Sequence, residues 1–154
     1  MITRRTFLGQ LAGSAALAAT APALSAWADS APPTITVYKT PTCGCCGKWN
    51  DHLRAKGFKV VSHDVSDTGV IRARYGVPNA MASCHTGLVG DYVVEGHVPA
   101  DLIHRMLRER PKILGLAVPG MVVGSPGMET GGKPQKYDVV AFTRDGKTRV
   151  YASR

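Results

Sequence analysis

Ile35-Thr36-Val37-Tyr38-Lys39-Thr40-Pro41-Thr42-Cys43-Gly44-Cys45-Cys46 is an alternating, β-branched run that passes directly into a turn carrying three of the chain's four cysteines. The alternation predicts a buried strand, and the turn after it predicts the start of a helix. On that helix Trp49 and Leu53 stand four residues apart, on one face, and Gly57 supplies a C-terminal stop. Phe58 to Val65 reads as a second strand. A β-α-β unit therefore opens the domain, with the cysteines at its first strand-to-helix turn.

Downstream, Ser66 and Asp67 offer caps for a short helix, Val70 to Tyr75, which Gly76 and Pro78 end. The loop Asn79 to Thr86 carries the fourth cysteine. Leu88-Val89 and Tyr92-Val93-Val94 flank Gly90-Asp91 as a hairpin. Pro99 suits the first turn of a helix whose apolar stripe is Leu102, Ile103, Met106 and Leu107, and Pro111 terminates it. Ile113 to Lys136 is rich in Gly and Pro and shows little periodicity, a kind of long stretch that often carries function. Val139 to Phe142 and Thr148 to Tyr151, around Asp145-Gly146, close the chain as a second hairpin. The order predicts an α/β fold: a thioredoxin-like sheet with flanking helices and an added C-terminal β-hairpin.

Cys43 and Cys46 have the C-x-x-C spacing of thiol redox proteins, at a helix start where backbone N–H groups and the helix dipole favour thiolate. Cys45 lies inside that spacing and adds a sulfur that dithiol exchange does not need. Three thiols within four residues crowd a single tetrahedral ion, because the neighbours Cys45 and Cys46 chelate it poorly together. Thiolates bridging several ions relieve the crowding. Soft sulfur ligands and low coordination numbers point to Cu(I), whereas zinc would prefer paired C-x-x-C modules, of which there is one.

Other soft or borderline donors lie on segments able to fold over the same turn: Met81, Cys84 and His85 in one loop, Met121 and Met128 in another. A single methionine is more simply core filling, but two set among Gly and Pro are less easily explained so. Met106 belongs to the core stripe. The ligand set read from the chain is thus Cys43, Cys45, Cys46, Cys84, Met121, Met128 and His85. His97, after Gly96 at a strand end, reads more simply as a hydrogen-bonded residue than as a ligand. Trp49 reads as the anchor that packs the first helix on the sheet.

The chain has 154 residues and a formal charge of +8. That length fits one domain with a short appendage. No Lys/Arg run with interleaved aromatics accompanies the charge, so it reads as solubility and not as a nucleic-acid surface. Thr3-Arg4-Arg5-Thr6-Phe7-Leu8, followed by an uncharged Ala-rich stretch to Ala23, reads as a twin-arginine export signal, with a cleavage pattern at Ala26-Trp27-Ala28. Residues 1–28 are then the signal peptide, residues 29–34 a tether and residues 35–154 the domain. Removing the signal takes away two arginines and no acidic residue, so the charge falls from +8 to +6. The predicted destination is the periplasm, with no membrane span in the mature chain. All four cysteines are retained.

Taken together, the segments 38–46, 83–86, 95–99 and 124–129 resemble the bacterial metal-binding domain-of-unknown-function family that includes the copper-resistance protein CopG. The resemblance spans nearly the whole mature chain. It implies a thioredoxin-like fold, copper handling in the periplasm, and Cys43, Cys45, Cys46 and Cys84 as metal ligands. In one departure, Val122 follows Met121 where the family pattern is expected to place a proline. The expected function is a periplasmic Cu(I)-binding protein contributing to copper resistance or homeostasis. It would hold more than one ion and exchange copper with other periplasmic copper-handling proteins, and in a sharper variant of the same expectation it would interconvert Cu(I) and Cu(II). Its alternative is a thiol-disulfide oxidoreductase using Cys43 and Cys46.

Overall fold

A computed structural model describes residues 31–154; the segment read as a signal peptide, 1–28, and the first two residues of the stretch read as a tether lie outside the described residues. The chain runs β1 (Thr34–Lys39), α1 (Gly44–Ala55), β2 (Lys59–Asp64), α2 (Thr68–Tyr75), a single 3₁₀ turn (Asn79–Met81), β3 (His85–Val89), β4 (Tyr92–Glu95), α3 (Ala100–Glu109), β5 (Gly115–Ala117), β6 (Asp138–Phe142) and β7 (Thr148–Ser153). The strands form one sheet in the order β2-β1-β3-β4-β5-β6-β7. β1 is parallel to β2 and antiparallel to β3, which is antiparallel to β4, so the first four strands with α1, α2 and α3 make the thioredoxin-like unit.

The helix ends follow local chemistry. At the end of α1, Gly57 takes a φ of 87° and its N–H bonds to Arg54 O, while the Phe58 N–H reaches back to Leu53 O. This Schellman closure needs the left-handed conformation that glycine adopts without a Cβ clash. Asp67 caps α2 by accepting from Gly69 N–H at 2.6 Å, which costs ~1 kcal/mol to remove.

Alternation along the strands divides the core into two layers. Ile35, Val37, Val89 and Val94 face α1 and α3, where Trp49, Leu53, Ile103 and Met106 are fully buried. Val93, Ala117 and Phe142 face the other way, with Val77, Tyr75 and Met81 packed against them. Met81 is therefore core filling on the α2 side. Trp49 is the anchor the spacing indicated, and its Nε1–H donates to Val98 O at 2.9 Å. Truncating it to alanine would cost ~3–5 kcal/mol.

The added C-terminal hairpin is present as β6 and β7, with a register shift at Val139/Val140. It does not attach directly to the thioredoxin-like unit. β5, within the stretch read as non-periodic, lies parallel to β4 and antiparallel to β6 and joins the two parts into one sheet. Its three residues are all buried, so no alternation betrays it. Among the described residues no helix is long and apolar enough to cross a membrane.

Candidate metal centre

The cysteine turn is built by β1 and by the start of α1. The Cys43 N–H bonds to Thr40 O at 3.1 Å, closing the turn after the strand, and Cys43 occupies the helix N-cap without a side-chain cap bond. Cys45 and Cys46 therefore lie in the first turn of the helix. The backbone N–H groups that a capping side chain would satisfy remain beside the sulfurs, with the positive end of the helix dipole.

The β1–β3 register, which sets Lys39 opposite His85, brings Cys84 to the same place. Its Sγ lies 3.5 Å from that of Cys46 and 4.0 Å from that of Cys45, and Cys45 Sγ is 3.5 Å from Cys43 Sγ. The four sulfurs all fall within 4.8 Å of one another. Cys43 and Cys46 are joined as a disulfide, with their Cα atoms 5.3 Å apart, and Cys45 and Cys84 are free thiols. Reduction of that disulfide gives a four-thiol cluster. Burial, reinforced by Cys45, pushes the Cys84 thiol up to about 12, so in the metal-free protein it keeps its proton. A bound cation would displace that proton.

Two imidazoles complete the cluster from the opposite side. His85 Nδ1 is 3.3 Å and His97 Nε2 is 3.2 Å from Cys84 Sγ, and the rings meet edge to face at 5.0 Å. Both residues are fully buried. Burial pushes His85 down to about 3, with the His97 charge adding to the effect, and burial likewise lowers His97. Both are therefore neutral at pH 7, the form in which imidazole ligates. The His97 Nδ1–H donates to Pro126 O at 2.8 Å, which assigns the lone pair to Nε2 and aims it at Cys84. His85 Nε2 is buried with no hydrogen-bond partner.

The Gly/Pro-rich stretch folds over this site. Gly127 takes a φ of 84°, and a Cβ there would stand 2.7 Å from Trp49 N and 2.8 Å from Cys45 O. Only glycine allows so close an approach to the helix backbone. Met128, half-buried, follows that contact directly. Met121 follows Gly120, whose N–H bonds to Ala82 O and whose carbonyl accepts from Ser83 Oγ. Each methionine is thus one residue from a backbone contact with a cysteine-bearing segment, and Met121 is 59% exposed.

The structure therefore gathers Cys43, Cys45, Cys46, Cys84 and His85, and sets Met121 and Met128 on the loop that covers them. Sequence reasoning left out His97. Its signal, a carbonyl partner 29 residues away at Pro126, is a tertiary one. Glu95 also went unread. It is fully buried, its two oxygens accept from Ser83 N–H at 2.8 Å and Thr86 Oγ1 at 2.7 Å, and burial raises its carboxyl to about 7. The donors facing the cluster are sulfur and neutral imidazole, with no carboxylate in either ligand group. Such a set suits soft and borderline ions and disfavours magnesium or calcium.

Fold and site together define the class: a thioredoxin-like protein whose first helix begins in a cysteine–histidine cluster with metal-ligand spacing. A family described as protein of unknown function, DUF411, matches residues 81–128. Two solved structures of a copper resistance protein CopG, form 2 and form 1, are 50% identical to the chain. Each covers 80% of this chain and 98% of its own, with TM-scores of 0.76 and 0.75. No curated protein matches it. The chain belongs to the family of these CopG proteins.

Proposed function

We propose that this protein is a periplasmic Cu(I)-binding protein that contributes to copper resistance or homeostasis. The observation carrying the proposal is the gathering of four sulfurs within 4.8 Å of one another at a helix N-terminus, beside two neutral imidazoles. The 50% identity to a protein named for copper resistance supports copper as the cargo. Cys43, Cys45, Cys46 and Cys84 are the proposed thiolate ligands, with His85 and His97 completing the shell and Met121 and Met128 as supplementary soft donors. Four thiolates and these further donors exceed what one low-coordinate ion needs, so more than one ion is bound through shared sulfur. The twin-arginine signal read at Arg4-Arg5 supports the periplasm as its place, where other copper-handling proteins would deliver or collect the metal.

Redox chemistry is a sharper form of the same reading. Oxidation of the Cys43 and Cys46 thiolates to the disulfide releases two electrons, enough to reduce two Cu(II) to two Cu(I). Mixing reduced, metal-free protein with two equivalents of Cu(II) under anaerobic conditions tests it. Loss of two thiols with appearance of Cu(I) is expected, and unchanged thiols with Cu(II) retained would remove the redox form.

The Cys43–Cys46 disulfide itself favours a second reading, a thiol-disulfide oxidoreductase. Insulin or glutathione turnover by metal-free protein separates the two. Turnover that survives Cys45→Ser and Cys84→Ser together would support exchange, and copper binding lost in the same variant would support the cluster.

A further inference from the structure

We infer that Glu95 is a positioning residue of the metal centre: acting through the backbone of Ser83, it sets where the Cys84 thiol stands against Cys45, Cys46 and the two imidazoles. The inference rests on the copper-binding reading above.

Glu95 ends β4 opposite Thr86, and both side chains face the α2 side of the sheet, where Arg72 Nη1 comes within 3.6 Å of the carboxylate. His85, the neighbour of Thr86 on β3, faces the other side and lies against Trp49 at 4.3 Å between ring centroids. Glu95 belongs to neither ligand group, so its influence on the metal has to pass through the chain.

That path is short. Ser83 immediately precedes Cys84, and every polar group it has is held. Its N–H donates to Glu95 Oε1 at 2.8 Å, its carbonyl accepts from Arg72 Nη1 at 3.0 Å, and its Oγ donates to Gly120 O. Arg72 is fixed in turn by Thr68 Oγ1 at 3.0 Å, and the second oxygen of Glu95 by Thr86 Oγ1. Ser83, the residue that leads into Cys84, is thus gripped on both sides, its N–H by a buried carboxylate and its carbonyl by a guanidinium.

Such a grip has a reason. Cys84 leaves a 3₁₀ turn and must meet sulfur and nitrogen from α1, β3 and the β4–α3 connection at 3.2 to 4.0 Å. A loop free to wander would lose conformational entropy on each binding event, and a clamped one has lost it in folding. Burying a carboxylate is unfavourable, and an apolar residue would fill a strand end more cheaply. The arrangement makes sense where the position of one thiol matters.

The test compares Glu95→Gln, Glu95→Ala, Cys84→Ser and the double variant Glu95→Ala/Cys84→Ser, each reduced and titrated with Cu(I) against a competing chelator. Glutamine keeps an acceptor for Ser83 N–H, so Glu95→Gln should bind as the wild type does. Folded Glu95→Ala should lose about 10- to 100-fold in affinity, the effect of removing a group that orients a ligand. The double variant should be no weaker than Cys84→Ser, because Glu95 acts through the thiol already removed. Wild-type binding by Glu95→Ala, or an added loss in the double variant, would overturn the inference. Should Glu95→Ala fail to fold, Arg72→Met frees the other side of Ser83, its carbonyl, and wild-type affinity in that folded variant overturns it equally. A second readout needs no copper: alkylation of Cys84 in reduced, metal-free protein should be severalfold faster in Glu95→Ala or Arg72→Met. If the wild type bound no Cu(I), the copper reading would fall while this rate still decided the clamp, an unchanged rate contradicting it.

Discussion

Cys45 is the second residue of α1, between the two cysteines of the disulfide, with its Sγ 3.5 Å from Cys43 and 4.0 Å from Cys84. Dithiol exchange runs through Cys43 and Cys46 and leaves Cys45 idle, whereas a bridged cluster shares its sulfur between ions. Cys45→Ser should therefore lower both the number of Cu(I) ions bound and their affinity, with an unchanged circular dichroism spectrum. Wild-type copper stoichiometry and affinity in that folded variant would remove Cys45 from the ligands. His97 shows what a residue-by-residue reading misses. Alone, after Gly96, it has the sequence signature of any hydrogen-bonded histidine; its lone pair is aimed by Pro126, and its target Cys84 lies 13 residues before it.

At the scale of elements, the loop between β5 and β6 carries the most specific consequence. The atoms a Cβ on Gly127 would meet are all backbone, Trp49 N, Cys45 O and Trp49 Cα at 2.7 to 3.2 Å, and backbone does not swing aside. Gly127→Ala should destabilise the metal-free protein by roughly 1–3 kcal/mol in urea unfolding and weaken copper binding, since the displaced loop also carries the Pro126 carbonyl that orients His97. Destabilisation at or below a few tenths would mean the loop is not seated on α1. The strands around this loop show where sequence was informative. β1 and both hairpins were readable because their signals are local: alternation in residues 35–38, and the turn pairs Gly90-Asp91 and Asp145-Gly146. β5 was not readable. Gly115-Leu116-Ala117 is too short and too uniformly buried to alternate, and it is a strand because Val93–Glu95 and Val140–Phe142 offer ladders on both sides. The three cysteines at 43–46 announced themselves by proximity in sequence; Cys84 could be named as a candidate soft donor on a nearby loop, but its approach to 3.5–4.0 Å follows from the register of β1 and β3, which no local pattern shows.

For the whole molecule, buried titratable groups on the two faces of one sheet tie stability to pH in opposite senses. His85 is held down at about 3 against an ordinary 6.5, so its contribution is fully present above 6.5 and is lost as pH falls toward 3. Glu95 is raised to about 7 from 4.5, so its contribution is present below 4.5 and lost as pH rises through 7. Between 4.5 and 6.5 the two slopes oppose. Glu95→Gln leaves the histidine slope without its counterweight, and the metal-free variant should lose stability on acidification more steeply than the wild type, by about 1.4 kcal/mol per pH unit. Parallel urea-unfolding profiles of the two proteins from pH 6.5 to 4.5 would contradict this. The proposed twin-arginine export is tested on the entire chain: Arg4→Lys with Arg5→Lys should leave precursor in the cytoplasm, and normal periplasmic accumulation of that variant would point to a general secretory signal instead. The central claim is that four thiolates gathered within 4.8 Å hold copper as a shared-sulfur cluster. Its most direct test is titration of fully reduced, metal-free protein with Cu(I) against a competing chelator, with a thiol count on the same sample. Saturation above one Cu(I) per chain, with all four thiols protected from alkylation, is predicted; saturation at one ion or fewer, with two thiols left reactive, would contradict it.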